Sequence, residues 1–322
     1  MKRRPQLDRI YVGDAAAVLR RWPGGFVDLC VTSPPYFQLR DYGHKDQIGL
    51  ESSPDEYVRR LLVVLSQARR VLKPEGSLYL NLGDTYRNKS LLGIPWRVVR
   101  ELQKRGWYLR NAIVWHKPHG VPSAIKDRLT NRYEFLFHLT RSRRYYFNLD
   151  PLRVPNVDPR TKHLTGPVRH GVQGLAHRSG LPVAGNFTPN PRGKNPGDVW
   201  AIGPDTRPKR YIAPGKVTHY APFPESLVDR PVLAACPPKG IVLDPFMGSG
   251  TTALVARRHG RRFLGVELVP EYTALTRARL RLERSRRLLL PRSHRGTEKA
   301  GKLERATRGS ALSFTDSVRE AA

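Results

Sequence analysis

Two short stretches bring together residue types whose spacing could do chemistry: "TSPPY" at residues 32–36 and "DPFMGSGTT" at residues 244–252. In the second, Asp244 closes an apolar run, and Gly248 and Gly250 then lead into Thr251 and Thr252. Glycines in a strand-to-helix turn let a ligand approach the backbone closely. A Walker phosphate loop needs Gly-Lys-Ser/Thr, and no lysine follows here, so the turn suits a nucleoside without phosphates. Glu267 ends the next apolar run, "RRFLGVEL", about twenty residues further on, where a carboxylate can accept both hydroxyls of a ribose. In the first stretch, Pro34 and Pro35 must end the apolar run "FVDLCV". Each fixes its own φ and neither donates through nitrogen, so the turn is rigid and carries a hydroxyl and an aromatic ring.

The elements that must position these residues alternate along the chain. "DRIYVGD" (8–14) reads as a strand with a short helix after it through Leu19, and "FVDLCV" as a strand buried on both faces. Ser53 as N-cap, Pro54 at N1 and Glu56 predict a helix with a capping box, with Tyr57, Leu61, Leu62, Val64, Leu65, Ala68 and Leu72 inward and an end at "KPEG". A strand at 77–84, a helix at about 95–105, a strand at 107–118 and a hairpin of "RYEFLFHLTR" with "YYFN" follow. From about 149 to 218, Pro, Gly, His and Arg crowd together without periodicity, which predicts a loop-rich insertion. Order returns with a helix (225–235), strand (241–244), helix (251–259), strand (262–267) and helix (271–290), before a polar tail at 291–322. The organisation expected is a catalytic half (1–148), the insertion (149–218), a ligand-binding half (219–290) and the tail. Strands separated by helices predict an α/β, doubly wound, mostly parallel sheet with an antiparallel pair at one edge.

Composition narrows the class. A formal net charge of +30 over 322 residues exceeds what solubility requires and points to a polyanionic partner. Cys30 and Cys236 are the only cysteines, too few for a disulfide framework and without zinc-site spacing, so a reducing cytoplasm and no metal are expected. "MKRRPQLDRI" lacks an apolar signal core, and no stretch approaches a membrane span, so secretion and membrane insertion are not expected.

"TSPPY" followed by "DPFMGSGTT" resembles the amino-group DNA methyltransferases of the β arrangement, which use S-adenosylmethionine; the likeness spans about residues 8–290. It implies the methyltransferase sheet of seven strands, circularly permuted, the N-terminal strand lying beside the Glu267 strand and the insertion recognising the target. The Ser33 side chain and Pro34 carbonyl would accept the hydrogens of an exocyclic amine, within a catalytic set Ser33, Pro34, Pro35 and Tyr36. Tyr36 would stack on a flipped base, with Phe37 a second candidate and Thr32, Trp115 and Lys117 flanking the base. Asp244, Pro245, Phe246, Gly248, Ser249, Gly250, Thr251 and Glu267 would hold the cofactor, with Phe223 and Pro224 lining its pocket. Asp14 would face the cofactor's adenine or cap the helix behind it, two compatible roles. Ser-Pro-Pro-Tyr favours cytosine N4 as the methylated atom, with adenine N6 the alternative. Methylation at cytosine C5 would need a nucleophilic thiol, and neither cysteine has the right context. Double-stranded DNA is the implied partner, gripped by the insertion and tail, and a cognate restriction endonuclease is a further one; monomer and homodimer both stay open. The arginines at 277–287 read equally as a solvated helix face or a DNA contact. RNA or protein methyltransferases normally place the cofactor motif first, and a catalytically dead module would not need both motifs.

Overall fold

In the computed structural model, which describes residues 2–119, 124–156, 190–203 and 223–289, the apolar run before Ser33 forms β2 (Val27–Thr32) with all six residues buried. It is central in a sheet with β1 (Arg9–Val12), β3 (Leu72–Leu82), β6 (Tyr108–His116), β7 (Tyr133–Thr140), β8 (Val199–Ala201), β9 (Ile241–Asp244) and β10 (Arg262–Glu267). The order is β1-β10-β9-β2-β3-β7-β6-β8. The first five strands run parallel, β7 is antiparallel to β3 and β6, and β8 is parallel to β6. β4 (Tyr86–Arg87) and β5 (Ser90–Leu91) make a separate small hairpin. As expected, β1 pairs with the Glu267 strand, Val12 opposite Glu267.

Helices cover both faces. α1 (Ala15–Arg20), α2 (Pro54–Val71) and α3 (Ile94–Lys104) lie on one, where Leu19, Leu61, Leu65, Val98 and Leu102 pack with Cys30, Leu78 and Leu80. α4 (Glu225–Ala235), α5 (Thr251–Arg258) and α6 (Pro270–Leu289) lie on the other, where Val228, Val232, Leu254 and Leu280 pack with Leu29, Val31 and Val242. Cys30 faces one layer and its neighbours Leu29 and Val31 the other, as the period of two requires.

Several elements differ from expectation. The sheet has eight strands rather than seven, because the insertion supplies β8 at the edge, where its Trp200 is buried. "RYEFLFHLTR" does not pair with "YYFN". Its side chains are apolar on both faces, with Phe137 and Leu139 in one layer and Leu136 in the other, so it takes an interior place between β3 and β6. Tyr145 and Phe147 instead pack their rings against His138. α2 ends at Val71, just before "KPEG" as expected, but the strand expected from 77 begins already at Leu72. The β2–β3 register jumps from Val27↔Leu72 to Leu29↔Ser77, so residues 73–76 bulge from β3 while Lys73 folds back to pair with buried Asp28 at 2.7 Å. The capping box is half formed: Ser53 accepts from the Glu56 N–H at 3.2 Å, but the Glu56 carboxylate takes the Ser52 hydroxyl. Within the insertion, the described residues include a short 3₁₀ turn (Asp150–Leu152), a Val154–Lys194 bridge and β8; residues 157–189 and 204–218 and the tail lie outside the described residues.

Candidate active site

Because β2 and β9 are adjacent, with Cys30 opposite Leu243, their carboxyl ends bring together two motifs that are far apart in sequence. Both open into one cavity of about 640 Å³, at the edge where open α/β sheets bind ligands. Ser33, Pro34, Pro35 and Tyr36 form one wall; Pro245, Phe246, Met247, Gly248, Ser249, Thr251 and Glu267 form the other. Asp14, Trp115, Lys117 and Phe223 also line it.

The wall after β9 is braced from behind. Asp244 does not line the cavity: it is buried and accepts from Thr32 Oγ1 at 2.6 Å, Thr252 Oγ1 at 2.7 Å and the Phe246 N–H at 3.0 Å. Burial pushes its carboxyl up to about 6, with these three donors pulling the other way. Thr32, expected beside a target base, is therefore a tie between the ends of β2 and β9. Gly250 lies behind the wall in the left-handed region, φ +82°, and a Cβ there would fall 2.1 Å from Thr276. Thr276 in turn donates to the Gly248 carbonyl at 2.8 Å. Glu267 accepts from the Gly248 N–H at 2.7 Å and the Val269 N–H at 2.9 Å, while burial raises its carboxyl above the usual range. Asp14 caps α1, accepting from the Ala17 N–H at 2.7 Å. Arg279, within the arginine run of 277–287, is neither solvated nor on an outer face: it is buried and donates to the Ser249 carbonyl at 2.5 Å and hydroxyl at 2.9 Å. Nothing in the basic helix pattern singled it out.

The wall after β2 is less committed. The Pro34 carbonyl makes no hydrogen bond among the described residues, whereas the Pro35 carbonyl accepts from Tyr57 Oη at 2.8 Å. Phe37 is turned into the core against the Tyr57 ring, centroids 5.7 Å apart, and does not line the cavity, contrary to its expected place beside a base. Tyr36 lies against Gly83, where a Cβ would sit 2.7 Å from the ring. Its hydroxyl donates to Glu134 Oε2 at 2.6 Å and stands 3.3 Å from Ser33 Oγ. Burial and the Glu134 carboxylate raise the phenol well above its ordinary value, so it stays protonated. Glu134 also accepts from Asn81 Nδ2 at 3.0 Å and pairs with Lys117. The Lys117 ammonium sits 4.4 Å over the Trp115 ring, whose indole donates to the Ile202 carbonyl at 2.8 Å.

Glu134 and Asn81 were missed from the sequence, although an acidic residue inside the apolar run "YEFLFHL" was a signal. Tyr42 and Tyr272, edge to face at the cavity, gave none. Both cysteines are buried, Cys30 raised well above its ordinary value by burial and Asp244, and Cys236 pushed up to about 12, so neither is a thiolate. Among the described residues, no helix is long and apolar enough to cross a membrane.

A doubly wound sheet with a glycine turn and paired acidic strand ends at one carboxyl edge is the fold of S-adenosylmethionine-dependent methyltransferases. A family described as DNA methylase matches residues 27–278, and the chain belongs to that family. It is 36% identical over 303 residues to the type II methyltransferase M.Cfr9I of Citrobacter freundii, covering 85% of this chain and 88% of the relative. It is 34% identical over 305 residues to M.XycI of Xanthomonas campestris pv. cyanopsidis, covering 86% and 88%. Among solved structures, the PvuII DNA methyltransferase (cytosine-N4-specific) shares the fold at TM-score 0.64 and 23% identity, over 86% of this chain and 87% of that one. The putative DNA modification methylase TTHA0409 of Thermus thermophilus, solved in complex with S-adenosyl-L-methionine, matches at TM-score 0.54 and 27% identity, over 85% and 95%.

Proposed function

We propose that the protein is a site-specific DNA methyltransferase that moves a methyl group from S-adenosylmethionine to the exocyclic N4 amine of a cytosine flipped out of duplex DNA. The observation that carries this reading is the single cavity walled by Ser33-Pro34-Pro35-Tyr36 on one side and the Phe246–Ser249 turn with Glu267 on the other. The second wall fits the cofactor by its chemistry: a carboxylate for ribose hydroxyls, apolar Phe246, Met247 and Phe223 for a purine and thioether chain, and no lysine to suit a phosphate. Asp14 adds an acceptor for an adenine amine, and Pro245, Ser249 and Thr251 complete the wall. Asp244 and Gly250 serve the cofactor indirectly, by holding the turn. Bound there, S-adenosylmethionine supplies an electrophilic methyl on a sulfonium.

The chain's residues must make the amine nucleophilic. An exocyclic amine is poor at this because its lone pair is delocalised into the ring. The Ser33 hydroxyl oxygen and the Pro34 carbonyl accept hydrogen bonds from its two N–H groups, draw the nitrogen toward sp³ geometry and align the lone pair; once methylated, the nitrogen sheds one proton to solvent. Tyr36, with one face against Gly83, offers the other to a base, while Trp115 and Lys117 bound the pocket. A neutral serine where the adenine-modifying pattern has an aspartate supports cytosine. The insertion and the tail grip the duplex, and the type II relatives support a restriction–modification setting, with an endonuclease cutting the same site as partner.

The test is product analysis: the protein is incubated with unmethylated duplex DNA and S-adenosylmethionine, the DNA is digested to nucleosides, and these are separated by mass. N4-methylcytosine is expected. N6-methyladenine as sole product replaces cytosine with adenine, and absence of both transfer and calorimetric cofactor binding leaves a dead DNA-binding module.

A further inference from the structure

Glu134, on β7, has three donors aimed at it inside the catalytic cavity: Tyr36 Oη at 2.6 Å and Asn81 Nδ2 at 3.0 Å on Oε2, and Lys117 on Oε1. The Asn81 amide is locked in this sense because the same nitrogen donates to the Phe135 carbonyl at 3.1 Å. An ionised carboxylate can only accept, and a phenol has one hydrogen. With that hydrogen spent on Glu134, Tyr36 shows Ser33 only a lone pair, so the contact at 3.3 Å requires Ser33 to donate. Ser33 then has no hydrogen left for the cavity, and its lone pairs can face a ligand.

Resting on the reading of Ser33 and Tyr36 given above, we propose that Glu134 is a positioning residue. Acting through Tyr36, it turns the Ser33 hydrogen away from the base, makes Ser33 an acceptor, and so selects bases that present an amine rather than a carbonyl at the reacting position. Without Glu134 the Tyr36 hydrogen can point at Ser33. The Ser33 hydrogen then points into the cavity against the amine hydrogens, while a carbonyl base such as uracil would be welcomed.

The test uses the whole chain and the unmethylated duplex on which wild-type activity is measured. Glu134→Gln offers one good acceptor to three donors, so kcat should fall about a hundredfold, as for a small misplacement of reacting groups. Cofactor affinity by calorimetry and melting temperature should hold. Tyr36→Phe should lose kcat similarly, and adding Glu134→Gln to it should cost little more, since both act through one hydroxyl hydrogen. Wild-type kcat in Glu134→Gln overturns the proposal, and so do losses that multiply in the double variant. If Glu134→Gln does not fold, Tyr36→Phe decides alone: wild-type kcat there overturns the proposal, and a large loss with intact cofactor affinity supports it. Failure of the wild type to methylate any amine defeats the reading of the site itself, whereas an active wild type matched by these variants defeats only the role of Glu134.

Discussion

The two turns that face each other across the cavity are built on opposite principles. In the turn after β9, Asp244 holds three donors, Glu267 two backbone amides, Ser249 is clamped by Arg279, and the Gly248 carbonyl is taken by Thr276. In the turn after β2, the Pro34 carbonyl has no hydrogen bond among the described residues, and Ser33 has a single long one. Buried polar groups are normally satisfied, so the unspent acceptors are the exception that needs a ligand to explain it. A surface that holds a nucleoside by shape profits from being rigid and internally saturated. A surface that must polarise an amine profits from acceptors held in place but left available. Substitutions should therefore cost stability on the first side and turnover on the second.

The sharpest break on the saturated side is Gly250→Ala. An L-residue is strained at φ +82°, and its Cβ would meet Thr276 on α6 at 2.1 Å, so either the turn or the helix must move. We expect a loss of about 3 kcal/mol or more in urea unfolding, together with weakened cofactor binding. Wild-type stability would mean the turn is not the rigid mould described. On the other side, Ser33→Ala should lower kcat about a hundredfold to a thousandfold while melting temperature and cofactor affinity hold. A loss of cofactor affinity instead would merge the two walls into one function.

How much of this was legible in the sequence follows the same division. The saturated side was read almost to the residue: β9, β10 and α4 fall within the expected bounds because apolar runs there are cut cleanly by Gly and Pro. Legibility failed where tertiary packing overrode local signals. "KPEG" marks the helix stop correctly but hides that the chain goes on at once as a bulged strand, with Lys73 drawn to Asp28. Thr32 and Phe37 flank "SPPY" in sequence, which suggests a share in its expected role. The chain turns sharply at the proline pair, and one side chain goes to Asp244 and the other to Tyr57. Arg279 was hidden among like residues, since only the approach of α6 to the glycine turn distinguishes it. Glu134 was hidden by distance: its partners come from three other segments, which β2, β3 and β6 bring beside β7.

Two smaller effects sharpen the comparison. Asp244 has a folded-state pKa of about 6, above its unfolded value of about 4, so the folded protein holds this proton more tightly. Its contribution is therefore complete below about pH 4 and is lost as pH rises through about 6. Asp244→Asn removes that slope, its amide standing where the protonated carboxyl stands at low pH. Melting curves of the two proteins should lie close together at about pH 4 and separate toward pH 7 as the wild type loses stability, and parallel curves would show that Asp244 does not titrate in this window.

The smallest expected effect is Gly83→Ala, and it probes the open side without touching a polar group. Its Cβ would lie 2.7 Å from the Tyr36 ring, so the ring must tilt toward the cavity and strain its bond to Glu134. The residue lies just beyond β3, and the atoms nearest its Cβ position all belong to the Tyr36 ring, so stability and cofactor affinity should change little. A tilt of this kind should lower kcat about tenfold, less than the larger misplacement that costs a hundredfold. If instead cofactor affinity falls while kcat holds, the Tyr36 ring belongs to the cofactor wall, and the contrast between a saturated and an open turn must be redrawn with Tyr36 on the other side.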